Sequence, residues 1–101
     1  TNHKGLDIAA GCDTPIYAAA AGTVEFAGTS GKLGKLVIID HGNGVKTYYA
    51  HCNSLKVSKG QTVEAGTNIS TVGKTGTATG YHLHFEVRVN GVSKNPQNYL
   101  Y

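Results

Sequence analysis

Hydrophobic and polar positions alternate along most of this chain. The clearest run is His82-Leu83-His84-Phe85-Glu86-Val87-Arg88-Val89. Side chains of a strand point to opposite faces in turn. Leu83, Phe85, Val87 and Val89 are therefore predicted to face a core, and His82, His84, Glu86 and Arg88 to share the other face. Thr23 to Ala27 alternates between Gly22 and Gly28, while Leu36-Val37-Ile38-Ile39 is a short apolar run suited to burial on both faces. Val45 to His51 alternates again, so Val45, Thr47, Tyr49 and His51 are expected on one side. Between these last two runs lies Gly42-Asn43-Gly44. Asn-Gly tolerates positive φ at both turn positions and predicts a hairpin pairing Leu36–Asp40 with Val45–Ala50. Thr62-Val63 and Ile69–Val72, punctuated by Gly60 and Gly66, read as further short strands. No segment carries sustained helical periodicity, and Ala18–Ala21 is bracketed too closely by Pro15 and Gly22. The pattern predicts an all-β fold of two packed antiparallel sheets of short strands.

Composition narrows this. A chain of 101 residues fits a single domain spanning 1–101. With no Trp, no Met and only two Phe, the core must come from Val, Ile, Leu, Ala and part of the six Tyr. Hydrophobic residues at 40% and charged residues at 15% argue against disorder. No apolar run approaches the roughly 20 residues that span a bilayer, so no transmembrane segment is expected. The net charge of +3 is dispersed and forms no basic block, which argues against a nucleic-acid partner. Two cysteines, Cys12 and Cys52, are too few for a disulfide scaffold or a Cys-based zinc site.

The histidines carry the chemistry. His82 and His84 lie about 6.6 Å apart at Cα on one strand face, close enough to serve one site. His3 and Asp7 would be about 13 Å apart in a straight strand. Ligand bonds of about 2 Å therefore require a turn between them, which Gly5 permits. His51 ends its alternating segment. His41, beside the hairpin turn, reads as a residue that satisfies backbone groups rather than as a ligand.

His3-x-x-x-Asp7, Tyr49-Ala50-His51 and Gly80-Tyr81-His82-Leu83-His84-Phe85-Glu86 resemble, in order, the three motifs of the M23 (lysostaphin/LytM-type) zinc metallopeptidases. The text around them is similar too: Pro15-Ile16-Tyr17-Ala18 with Gly22-Thr23-Val24, the hairpin Asp40–Gly44, and Gly73-x-x-Gly76. The resemblance implies a β-sandwich with a metal-containing groove. It implies that His3, Asp7 and His84 hold one zinc ion per chain and that His51 and His82 are the catalytic pair. Three protein ligands leave a fourth position open, as in catalytic zinc sites. There is no His-Glu-x-x-His, so His51 or His82 must act as the base, in an order the sequence leaves open. Asn2, Tyr49 and Tyr81 are expected to line the substrate groove, with Thr29–Gly34 and Thr75–Gly80 as loops beside it. Glu86 lies on the ligand face, either orienting a histidine or as a plain surface residue. Cys12 and Cys52 flank segments of this site, and a disulfide bracing the cleft is expected, with two free thiols as the alternative.

The implied activity is hydrolysis of peptide cross-links in bacterial peptidoglycan by a metal-activated water. The alternative is a zinc-loaded, non-catalytic binding or scaffolding module of an envelope complex in division or sporulation. The domain is expected to be the C-terminal part of a longer, extracellular or envelope-located bacterial protein with envelope protein partners.

Overall fold

A computed structural model describes residues 6–76 and 80–94. They form nine strands: β1 (Leu6–Ala9), β2 (Pro15–Tyr17), β3 (Gly22–Thr29), β4 (Lys35–Gly42), β5 (Val45–Leu55), β6 (Thr62–Val63), β7 (Asn68–Val72), β8 (His82–Val89) and β9 (Val92–Lys94). A one-turn 3-10 helix, Gly31–Leu33, interrupts the connection from β3 to β4. The all-β expectation holds.

The main layer runs β1-β8-β5-β4-β3-β6, antiparallel throughout, with β9 beside β8. The second layer is β2 on β7. The layers are continuous through β5. Its first part pairs with β4 and β8, and its last part pairs with β7 through Cys52↔Val72 and Leu55↔Ser70.

The predicted hairpin forms between β4 and β5, closed by Gly42↔Val45 around Asn43 and Gly44. Both loop residues have positive φ, 54° and 80°, as a twist-matched two-residue turn requires. The β-branched run is buried on both faces, as expected: Val37 and Ile39 on one side, Leu36 and Ile38 on the other.

The core lies between the layers. Val24, Val37, Ile39, Tyr49, Val63, Phe85 and Val87 of the main layer form one buried cluster with Ile16, Ala18, Val57, Ile69 and Val72. Tyr49 and Phe85 meet with ring centroids 5.4 Å apart. A polar thread crosses the same side. His41 Nδ1 lies 2.7 Å from Ala21 O and its Nε2 2.8 Å from Thr47 Oγ1, and Tyr49 OH completes the chain by accepting from Ala19 N at 3.0 Å. Among the described residues no buried side-chain nitrogen or oxygen lacks a hydrogen-bond partner. His41 thus serves backbone and core hydroxyls, as its sequence position suggested.

The outer face of the main layer carries a smaller apolar cluster of Leu36, Ile38 and Ala50 edged by Phe26, Leu33 and Tyr48. His84, Glu86 and Asp7 stand on this face too, because their register partners Ala50, Tyr48 and His84 do.

The Cys12–Cys52 bridge is not formed; both cysteines are free, Cys12 exposed and Cys52 buried. The physical reason is where Sγ of Cys52 points. It turns into the core, 3.3 Å from both Tyr49 O and Ser70 Oγ, whereas Cys12 contacts the Tyr81 hydroxyl.

Candidate metal and catalytic site

Three strands bring four of the predicted residues together: Asp7, His51, His82 and His84. β1 and β8 are antiparallel with Asp7 opposite His84, residues far apart in sequence but neighbours on one face. Asp7 Oδ1 lies 2.7 Å from His84 Nδ1 and 3.8 Å from His82 Nε2. The third contributor is β5, whose His51 ring sits 5.1 Å from that of His82 and 6.0 Å from that of His84.

His51 reaches this face through a β-bulge. The pairs Lys35↔Cys52 and Val37↔Tyr49 leave one extra residue on β5, and His51 takes φ 61°. The bulge breaks the alternation that the sequence pattern carried from Val45 to His51. Tyr49 stays in the core at 1% exposure while His51 turns to the opposite side. The expectation that Tyr49 lines the groove beside His51 is therefore corrected. Its ring borders instead an apolar cavity of about 480 Å³ on the core side, with Ile8, Tyr17, Leu83 and Phe85.

Backbone carbonyls set the imidazoles. A carbonyl oxygen only accepts, so the nitrogen facing it carries the proton. His51 Nδ1–H donates to Thr75 O at 2.7 Å, and His82 Nδ1–H donates to Gly80 O at 2.9 Å. In the neutral rings each Nε2 is left with its lone pair. Nothing in the sequence marked Thr75 or Gly80 for this role, because the functional atom is a main-chain oxygen.

His84 is held at both ends. Its Nε2 lies 2.8 Å from Glu86 Oε2, and Arg88 donates to Glu86 Oε1 from Nε at 2.9 Å and Nη2 at 2.8 Å. Arg88 in turn lies over the Tyr48 ring, 4.1 Å from its centroid. Glu86 is 4% exposed. Burial pushes its carboxyl up, but the bonds from His84 and Arg88 outweigh this and hold it below the ordinary glutamate range. The His84 pKa is raised, chiefly by its bond to Glu86. Asp7 is held below its usual range, chiefly by its bond with His84.

This arrangement fits a divalent metal. With Nε2–H committed to Glu86, removing the Nδ1 proton leaves a lone pair aimed at the Asp7 carboxylate. One imidazole nitrogen and one carboxylate oxygen are donors of the kind zinc takes, and a carboxylate behind the ligating histidine is the usual support. Among the described residues no group of three or more His, Cys, Asp or Glu is arranged to hold a metal. His3, the third donor expected, and Asn2, expected in the groove, lie outside the described residues. Tyr81 is exposed at 43%, its ring 5.0 Å from Lys74 Nζ, and its pKa is raised mainly by the bond with Cys12. The segment Thr29–Gly34 packs beside Thr75, while residues 77–79 of the second expected loop are outside the described set.

Residues 1–96 match peptidase family M23. The chain is 46% identical over 94 residues to the DD-carboxypeptidase/endopeptidase Mpg of Neisseria meningitidis serogroup B, covering 93% of this chain and 22% of that protein. It is 42% identical over 99 residues to the murein hydrolase activator NlpD of Salmonella dublin, covering 97% of this chain and 26% of that protein. The chain thus spans about a quarter of the length of these two relatives. Among solved structures, a zinc-containing peptidase from Vibrio cholerae superposes with TM-score 0.88 at 37% identity, covering 91% of this chain and 28% of that one. The catalytic domain of the antimicrobial peptidase lysostaphin from Staphylococcus simulans gives TM-score 0.91 at 30% identity, covering 96% and 77%.

Proposed function

This chain belongs to peptidase family M23, and from that premise we propose that it is a zinc-dependent endopeptidase that hydrolyses peptide cross-links of bacterial peptidoglycan. The observation that carries the reading is the convergence of Asp7, His84, His82 and His51 from three strands onto one face. Asp7 and His84, with His3, would hold the metal. Zinc, when bound, supplies the Lewis acidity that makes water nucleophilic near neutral pH and polarises the scissile carbonyl. His51 and His82 each present Nε2 to the site. One takes the proton from the attacking water, and the other stabilises the developing oxyanion or passes a proton to the leaving amine. Glu86 and Arg88 keep the His84 ring oriented. Tyr81 and Asn2 are proposed to contact the peptide. No helix among the described residues is long and apolar enough to cross a membrane. The domain is proposed to act in the bacterial envelope as part of a longer protein with envelope partners, since Mpg and NlpD are each several times its length.

A second reading is a non-catalytic envelope module, favoured by the similarity to NlpD, named as a murein hydrolase activator. Digestion of purified peptidoglycan, followed by separation of the released muropeptides, decides between them. New peptide ends that appear with the zinc-loaded protein and vanish with a chelator are expected of the enzyme. Unchanged muropeptides from several wall types would favour the module.

A further inference from the structure

The partly buried Thr75 is held by its backbone and by its side chain at once. Its carbonyl takes the Nδ1–H of His51 at 2.7 Å. Its side chain ties the same residue to the strand that carries His51: Oγ1 donates to Cys52 O at 2.7 Å and accepts from Lys35 N at 3.0 Å. Two glycines make room for this. A Cβ on Gly34 would stand 2.4 Å from Thr75 C and 2.6 Å from Gly76 N. A Cβ on Gly76 would stand 2.4 Å from Lys32 O. Both have left-handed φ, 67° and 74°. The turn before β4 and the Gly73–Gly76 segment are therefore pressed backbone to backbone, with Thr75 between them and the bulge of β5. The same segment touches the second imidazole's strand, where His82 N donates to Gly73 O at 3.3 Å.

We propose that Thr75 is a positioning residue for His51, its anchored carbonyl fixing the imidazole in the Nδ1–H tautomer so that Nε2 stays free to accept a proton. This rests on the endopeptidase reading for its consequence but not for its geometry. A histidine's tautomer follows from the bond its other nitrogen makes. A bulge residue at φ 61° has no regular ladder neighbour to hold its ring, so the hold must come from elsewhere. Gly34 matters in the same way, because a side chain there would push the Thr75 peptide off the imidazole.

The test compares Thr75→Val, which keeps the shape and loses both Oγ1 bonds, with Thr75→Ser, which keeps them. Gly34→Ala is the independent second variant. Histidine-ring nitrogen–proton correlation spectra, recorded on metal-free and zinc-loaded protein, read the His51 tautomer directly. Zinc content and the kcat and KM for a peptidoglycan peptide are measured alongside. The expected result is a mixed or reversed His51 tautomer in Thr75→Val and Gly34→Ala, with kcat lowered about tenfold or more while KM and zinc content hold. Thr75→Ser should match the parent protein. An unchanged Nδ1–H signal in folded Thr75→Val and Gly34→Ala would overturn the proposal, as would a Thr75→Ser variant indistinguishable from Thr75→Val. If Thr75→Val fails to fold, Gly34→Ala and Thr75→Ser decide the matter by the same spectra. A parent protein that binds zinc, shows the Nδ1–H tautomer and cleaves nothing would sink the endopeptidase reading alone.

Discussion

Glu86 shows how a residue of ordinary type acquires a specific role. In the sequence it is one more polar position on the face of His82 and His84. In the fold it is buried, with one carboxylate oxygen on His84 and the other on Arg88. Glu86→Gln keeps the shape and an acceptor for His84 but removes the charge that balances Arg88 and supports the ligand. Zinc affinity, read by competition with a chromogenic chelator, should fall about 10–100-fold. The cysteines make a second test at this scale. Cys52 is buried, and burial pushes its thiol above the ordinary value despite the bond to Ser70. A folded pKa above the unfolded one means that stability is fully present below the unfolded thiol pKa. It is lost as pH rises from there towards the folded value. Native protein should thus take one alkyl group, on Cys12, at neutral pH and two once unfolded, by intact mass. Denaturant stability should decline at alkaline pH by more than in Cys52→Ser. The place of both cysteines beside site segments had suggested a bridge; what it could not carry was the direction of the Cys52 side chain.

Most strands were legible because their faces differ in polarity. His82 to Val89 alternates with one apolar face against the core, so both its existence and its facing followed from the pattern. Asn43-Gly44 announced its hairpin through the conformations only such residues reach easily. The bulge at His51 had no such signal. Alternation from Val45 placed His51 beside Tyr49, and the single extra residue reversed it. The short edge strands β1 and β9 are too brief to show a period, and β1 is legible only through its pairing with β8. The bulge makes its own prediction. A non-glycine residue in left-handed backbone costs about 1 kcal/mol or more. His51→Gly should therefore be more stable than His51→Ala by about that amount in urea unfolding, although both lose the bond to Thr75 and both should be inactive.

Across the whole molecule, the site is a product of sheet order. Asp7 meets His84 only because β1 closes the layer against β8, and His51 meets the rings of His82 and His84 because β5 is the next strand. The family motifs could be read from the chain, but the order β1-β8-β5 could not. It emerges from long-range pairing that local pattern does not encode. A metal shared by β1 and β8 would staple the edge strand to the sheet. Zinc at a thousandfold excess over its dissociation constant should add about 4 kcal/mol of stability. The Tm should rise accordingly, and Asp7→Ala should abolish the rise.

In the proposed enzyme one cluster divides its work between holding zinc and moving protons. The most direct test is zinc content by elemental analysis together with cleavage of purified peptidoglycan, for the parent protein and His82→Ala. One zinc per chain in both, with cleavage only in the parent, is the predicted result. Loss of zinc in His82→Ala, or equal cleavage by both proteins, would contradict it.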